Sequence, residues 1–337
     1  MFFQRGKSNQ VIYYLIAAFI LILCVEGLVI AAKKGDNKNN SASFKLPVWI
    51  QGNGKLPKWE LTLDEFKIIQ GKSLLEATSL KKPESPTMLF IAFDTVGEVA
   101  NISEVRSAVT HEIQELGSLY WVGLISANEQ ISVVQEPTPD REVLSQKIEQ
   151  LSQIGKAGLL DTLIPLADFT TGILLKSDVR VAVIFITDSD IGNYKTDYLN
   201  APINVSDSRD LSRRFAGRAL QEKISRMSKA IAKFQVPIFI VHIAPGQDPL
   251  NRAYQNGLKQ LAEVGGGKCL LSKSISDIPP TVHDAFEWAR SFYLLSFRLA
   301  APKGSYSDVM IKLAPKEPDS DSVGTIRLIY PNRVYVP

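Results

Sequence analysis

Cysteine and histidine are scarce in this sequence of 337 residues, which holds two of the former and three of the latter. Cys24 sits in an apolar stretch near the amino terminus and Cys269 stands alone in the remainder, so a disulfide framework and a cysteine-based zinc site are both excluded. His111, His242 and His283 are far apart in sequence and read as packing or surface residues rather than metal ligands. No G-x-S-x-G, G-x-x-x-x-G-K-[ST] or H-E-x-x-H occurs, which removes the usual sequence grounds for a hydrolase, a phosphate-binding loop or a zinc protease. Charge of one sign is also lacking. The formal net charge is +3, too small to imply nucleic acid as a partner.

What is present begins with an apolar run. VIYYLIAAFILILCV spans 11–25, Glu26 interrupts it, and GLVIAA continues to Ala32. Two readings compete: a signal peptide with Ala31 and Ala32 near a cleavage point, or a membrane anchor with Glu26 at the interface. Either would export the rest, leaving it tethered to a membrane or secreted. Leu23 is not the small residue that lipidation of Cys24 would want. Residues 33–43 read as a polar linker.

Residues 44–80 read as a β segment. VWIQ is a short strand, GNGKLP is turn chemistry, and KIIQGKSLLEATSL suggests two strands around a turn at Gly71. KKPESPT, with Pro83 and Pro86, is a second linker. From Met88 the pattern changes. Apolar strands (MLFIAFD, YWVGLISA, VRVAVIFITD, VPIFIVHI, KCLLSK) alternate with helical periods over 103–116, 211–234, 250–264 and 281–289. Such alternation predicts a doubly wound, mostly parallel α/β sheet covered on both faces. QISVVQ follows YWVGLISA after so short a connection that it predicts one antiparallel edge strand. Thr138 and Pro139 look like the N-cap and first residue of the next helix. The glycines of GGGKC close a helix and precede a strand, so they read as a C-cap and not as a phosphate loop. SFYLLSFRLA is a last alternating strand, and 305–313 with 323–330 suggest a terminal hairpin.

These residues resemble a known family. FDTVGE after the first strand of the alternation, ITDSDIGN after a later one and LAEVGGG near its end are similar to a von Willebrand factor type A domain. The resemblance is closest to the VWFA-related domain family first described from Acidobacteria. That family precedes the domain with a β segment like WIQGNGKLPKWELTLDEFKIIQGK. It follows the domain with an aromatic strand and β tail like SFYLLSFRLAAPKGSYSD and NRVYVP. It implies a type A domain over 88–299, a C-terminal β tail over 300–337, and a small β subdomain made from the segments on either side.

The resemblance also implies a site. Type A domains bind a divalent cation at the carboxyl ends of their strands through D-x-S-x-S, a Thr from a second loop and an Asp after a later strand, all hard oxygen ligands suited to Mg²⁺. Here Asp94 and Asp188 hold the two acidic positions, with Asp190 close by. Val96 replaces the first Ser and Glu98 the second. GKAGLLDTL, aligned with the family's G-G-T-A-L-Y-D-A-L, puts Ala157 in place of the Thr. The expectation is therefore a degenerate adhesion site, either an altered Mg²⁺ site on Asp94, Glu98 and Asp188 or a scaffold without an ion. The insert over 194–209 and the basic helix carrying Arg213, Arg214, Arg218, Lys223, Arg226 and Lys229 are secondary recognition surfaces, although the acidic residues among them also suit a solvated face. The implied function is an exported protein-interaction module that is not an enzyme, with a metal-dependent adhesion receptor for an acidic ligand as the alternative.

Overall fold

The computed structural model describes residues 41–52, 61–152, 154–194, 208–314 and 326–336. The N-terminal apolar run and nearly all of the 194–209 insert lie outside them. Among the described residues no helix is long and apolar enough to cross a membrane.

Six strands make the central sheet: β5 (Thr87–Asp94), β6 (Tyr120–Ser126), β7 (Ser132–Thr138), β8 (Arg180–Thr187), β9 (Ile238–Ile243) and β10 (Cys269–Ser272), in the order β10-β9-β8-β5-β6-β7. All neighbours are parallel except β7, which runs antiparallel to β6 at the edge. This is the doubly wound sheet with one reversed edge strand that the sequence predicts. The continuous apolar runs have a direct cause, since every residue of β8 and β9 is buried and such burial requires cover on both faces.

The cover is helical. It consists of α1 (Val99–Glu115), α2 (Arg141–Glu149), α3 (Leu159–Lys176), α4 (Ser208–Ile231), α5 (Pro249–Val264) and α6 (Ile278–Arg290). They pack as two groups, α1 with α2 and α6, and α3 with α4 and α5. Two local expectations change. β7 continues through Pro137 to Thr138, so the cap of α2 moves to Asp140, whose carboxylate accepts from the Glu142 and Val143 N–H groups. An edge strand tolerates Pro137 because its outer N–H positions need no partner. The glycines after α5 do form a C-cap. Gly266, at φ +75°, donates to the Glu263 carbonyl, and Gly267 donates to that of Ala262.

The remaining strands form antiparallel layers. β1 (Ser41–Gly52), β4 (Ala77–Lys81), β11 (Tyr293–Ala300) and β14 (Ile326–Ile329) make a sheet ordered β14-β1-β11-β4. β2 (Phe66–Gln70), β3 (Ser73–Leu75) and β13 (Met310–Leu313) make a second, and β12 (Tyr306–Asp308) pairs with β15 (Arg333–Tyr335). The Gly71 turn joins β2 to β3 with φ +58°. The hairpin expected of 305–330 does not form. β13 pairs with β2 and β14 with β1, because each four-residue strand finds its partner in the upstream β segment. The N- and C-terminal pieces thus share one β subdomain with its own core of Phe44, Leu46, Val48, Phe66, Ile68, Phe297 and Ile311.

Alternation along β1 and β11 joins that subdomain to the main core. Phe44, Leu46 and Val48, like Leu295, Phe297 and Leu299, enter the β core, whereas Trp49 and Leu294 enter the α/β core. The Trp49 indole packs on Phe239, Trp288 and Phe292, and its Nε1 donates to the Trp288 carbonyl at 2.9 Å. Across the same seam Arg180, fully buried at the start of β8, donates to the carbonyls of Arg290 (3.0 Å), Phe292 (2.8 Å) and Pro83 and to the Tyr120 hydroxyl (3.1 Å). The linker 82–86 is therefore fastened to the sheet by a charged clamp.

Candidate functional site

Asp94 ends β5 and Asp188 follows β8. These adjacent strands leave the sheet in opposite winding directions, so their carboxyl ends mark the topological switch point, where ligands of such sheets collect. Asp94 is fully buried. Its Oδ1 accepts the Gly158 N–H at 2.8 Å and its Oδ2 the Thr187 hydroxyl at 2.8 Å. Gly158 is the N-cap of α3, so the positive end of that helix also faces the carboxyl. Burial outweighs these donors and raises the Asp94 pKa to about 8.

Asp188 is held differently. The turn 95–98 wraps it, with the Val96 N–H 3.0 Å and the Gly97 N–H 2.6 Å from Oδ2, and Val96 also within 3.2 Å of Oδ1. Gly97 suits this approach, because a Cβ there would lie 2.7 Å from the same oxygen and the Asp188 carboxyl would have to shift. Desolvation raises the Asp188 pKa against these backbone donors, and the Asp190 charge adds to the rise. Asp190 is half-buried and its N–H donates to the Asn193 side chain at 2.7 Å.

A hydroxyl chain runs inward from Asp94. Thr187 Oγ1 lies 2.7 Å from Ser189 Oγ, which lies 2.8 Å from the Tyr254 hydroxyl on α5. All three side chains are buried. His242 on β9 is buried beside them, with Nε2 2.8 Å from the Ser189 carbonyl and its ring edge-on to Tyr254. Desolvation lowers its pKa to about 4, so it is neutral, and Nε2 is the donor. His242 is thus a packing residue, as the sequence suggests. His283 instead pairs with Glu112 at 2.8 Å between α6 and α1, and Cys269 is half-buried.

Glu98 does not join the two aspartates. It is exposed, and its carbonyl accepts the Ile102 N–H as α1 begins. Among the described residues no three His, Cys, Asp or Glu side chains stand together as a metal would require. The expected cluster of Asp94, Glu98 and Asp188 is therefore not formed, because the turn that delivers amides to Asp188 carries Glu98 outward. Val96 and the buried Ala157 offer no ligand oxygen. A divalent cation would have to share the Asp94 and Asp188 oxygens with these protein donors and would find no hydroxyl ligand at positions 96 and 157. Asp94 and Asp188 are legible in the sequence, whereas Gly158, Thr187, Ser189 and Tyr254 are not. The one signal for Thr187 and Ser189 was their place at the end of a fully buried strand, where polar side chains need partners.

The rim of this end carries exposed apolar side chains, Val99 at 71% and Ile154 at 85% of full exposure. Glu129 at φ 62° and Ala244 at φ 45° are its two non-glycine residues in the left-handed region, and they lie in the loops after β6 and β9.

No family model matches the chain, and no curated protein does. Solved structures do resemble it at a distance. Proximal thread matrix protein 1 from the mussel byssus is 10% identical over 63% of this chain and 50% of its own, with a TM-score of 0.40. The PilB minor pilin from Streptococcus sanguinis is 14% identical over 61% of each chain, with a TM-score of 0.42. The vWF domain of the type V pili tip protein Mfa5 from Porphyromonas gingivalis is 11% identical over 59% of this chain and 95% of its own, with a TM-score of 0.38. This chain therefore spans only half of the mussel protein. The architecture rests on its own strand order and register.

Proposed function

We propose that this chain is a protein-docking module of the von Willebrand factor type A kind, with a degenerate adhesion site whose carboxyl-end face works without a bound cation. The observation that carries the reading is the pair of aspartates. Asp188 accepts the Val96 and Gly97 amides, and Asp94 accepts the Gly158 amide and the Thr187 hydroxyl. Where a cation site would hold its loops through a metal, these contacts hold the same loops internally and leave a fixed rim with Val99 and Ile154 outermost. Loops held on a rigid scaffold are common recognition surfaces. The module is not an enzyme in this reading. Among the described residues the buried hydroxyls at the switch point donate to one another and to Asp94 and are not aimed at an open pocket. The apolar run 11–32 makes it an exported protein, tethered to a membrane or released from it, with its partner outside the cytoplasm.

Site-specific photo-crosslinking tests the face. A benzophenone amino acid replaces Val99 or Ile154, with Leu74 on β3, also exposed at 66%, as the control position. Expressed in its native cells and treated with a chelator, the chain is expected to give one shared adduct from positions 99 and 154 and none from 74. Adducts that form only with Mg²⁺ present, or only from position 74, contradict the reading.

A further inference from the structure

The helices on the two faces of the central sheet carry opposite charge. The connections through α4 and α5 step along the sheet from β8 to β9 to β10, whereas α1 steps the other way, from β5 to β6. Right-handed crossovers therefore place α4 and α5 on one face and α1 on the other. Within α1, α2 and α6 stand seven acidic and four basic residues. Within α3, α4 and α5 stand ten basic and five acidic ones.

Pairing sharpens the contrast. On the first face the cations are held against the protein. Arg106 donates to the carbonyls of Glu149 and Leu151, Arg141 to those of Gly117 and Tyr120, and Arg290 meets Glu112 and Glu287. Lys147 is half-buried. Glu115, Glu142, Glu149 and Asp284 are exposed, and among the described residues none of them has a cation in ion-pair range. The second face is the reverse. Arg218, Arg226 and Lys229 project from α4 and Arg252 and Lys259 from α5, all exposed. Positions 218, 222, 226 and 229 fall on one stripe of the helix, so the three α4 cations share it with Glu222 alone. Among the described residues none of the five has a carboxylate in ion-pair range, whereas Lys223 is paired with Asp161 at 2.9 Å. Glu222 and Glu263 are the exposed carboxylates interspersed there.

We propose that the α4–α5 face docks on the α1–α2–α6 face of a second copy of this chain. The occupant is a second copy because the matching charge is built into the same molecule: free carboxylates project from one side of the sheet and free cations from the other. The two faces differ, so the contact is heterologous. They lie on opposite sides of the sheet, so every added copy presents both again and copies join in an open row. Exposed ion pairs are individually weak and are screened by salt, so the row forms at low ionic strength and disperses at high.

Sedimentation velocity of the full-length chain in a non-ionic detergent tests this. At about 20 mM salt the protein mass is expected to rise with concentration to about twice the monomer or more, and at about 500 mM to return to the monomer. One variant combines Arg218→Glu, Arg226→Glu and Lys229→Glu, and a second combines Glu115→Lys, Glu142→Lys and Glu149→Lys. Each alone is expected to stay monomeric at low salt. An equal mixture of the two is expected to associate again, since each then offers the charge that the other needs, and a misfolded chain would not recover in this way. Should a triple reversal unfold, Lys229→Glu and Glu149→Lys, both at exposed positions, take its place. A wild-type chain that stays monomeric at low salt, association that survives either reversal, or a mixture that stays monomeric would each overturn the proposal. In the first case, retention of the chain on a polyglutamate matrix would give the basic face to an acidic partner of another kind.

Discussion

Replacing Arg180 by alanine is expected to lower the unfolding free energy by about 4 kcal/mol, since each buried acceptor left without its donor costs about 1–3 kcal/mol. Four acceptors lose their donor at once: the carbonyls of Pro83, Arg290 and Phe292 and the Tyr120 hydroxyl. The guanidinium also lies 4.7 Å over the Phe292 ring, so stacking goes with the hydrogen bonds. Desolvation lowers its pKa, yet a guanidinium stays charged, and the carbonyl dipoles around it carry the compensation. Arg180→Lys is expected to recover less than half of the loss, because a single ammonium cannot span acceptors on the 82–86 linker, β6 and the turn before β11. Urea unfolding followed by tryptophan fluorescence measures both variants. A loss below about 1 kcal/mol for the alanine variant would mean that the clamp is not structural.

The second large effect is a dependence on pH that originates at Asp94. The folded chain holds its proton far more tightly than the unfolded chain, with a pKa of about 8 against an ordinary 3.8. That contribution to stability is complete below the unfolded value and is lost as pH rises toward 8. His242 acts oppositely, since its pKa falls from 6.5 to about 4 and folding gains as pH rises across that interval. The two largely offset each other below 6.5. Between 6.5 and 8 His242 no longer offsets Asp94, and stability should fall by about 1.4 kcal/mol per pH unit, roughly 2 kcal/mol in all, with the raised Asp188 acting in the same direction. Asp94→Asn should flatten that slope. The amide keeps the Gly158 contact through its oxygen and donates to Thr187, which turns its own hydroxyl toward Ser189. An unchanged slope in the variant would place the titrating group elsewhere.

The legible part of this chain was the part set by local pattern. Long runs such as TMLFIAFD and VRVAVIFIT announce strands buried on both faces, and the short step to QISVVQ announces the reversed edge. Asp94 and Asp188 were legible because each ends such a run. What stayed hidden depends on distant pairing. β13 and β14 read as a hairpin, but their partners β2 and β1 lie more than two hundred residues upstream, and four-residue strands carry no register information of their own. Arg180 at the head of a strand looks like a solvated terminus until the folding of β11 and the linker encloses it. Glu98 looked like a ligand by its spacing, yet spacing cannot say that the Val96 and Gly97 amides turn inward and carry the next side chain out.

That inward turn is the core of the account, and titration calorimetry tests it most directly. Mg²⁺ and then Mn²⁺ are titrated into the full-length chain, with Asp188→Ala as the control. A cation would have to compete with the Val96 and Gly97 amides for the Asp188 oxygens and would find no hydroxyl ligand beside them. The expected result is no saturable heat up to millimolar ion in either chain. A saturable single-site heat that Asp188→Ala abolishes would contradict it, and would make the carboxyl-end face a working metal-dependent adhesion site.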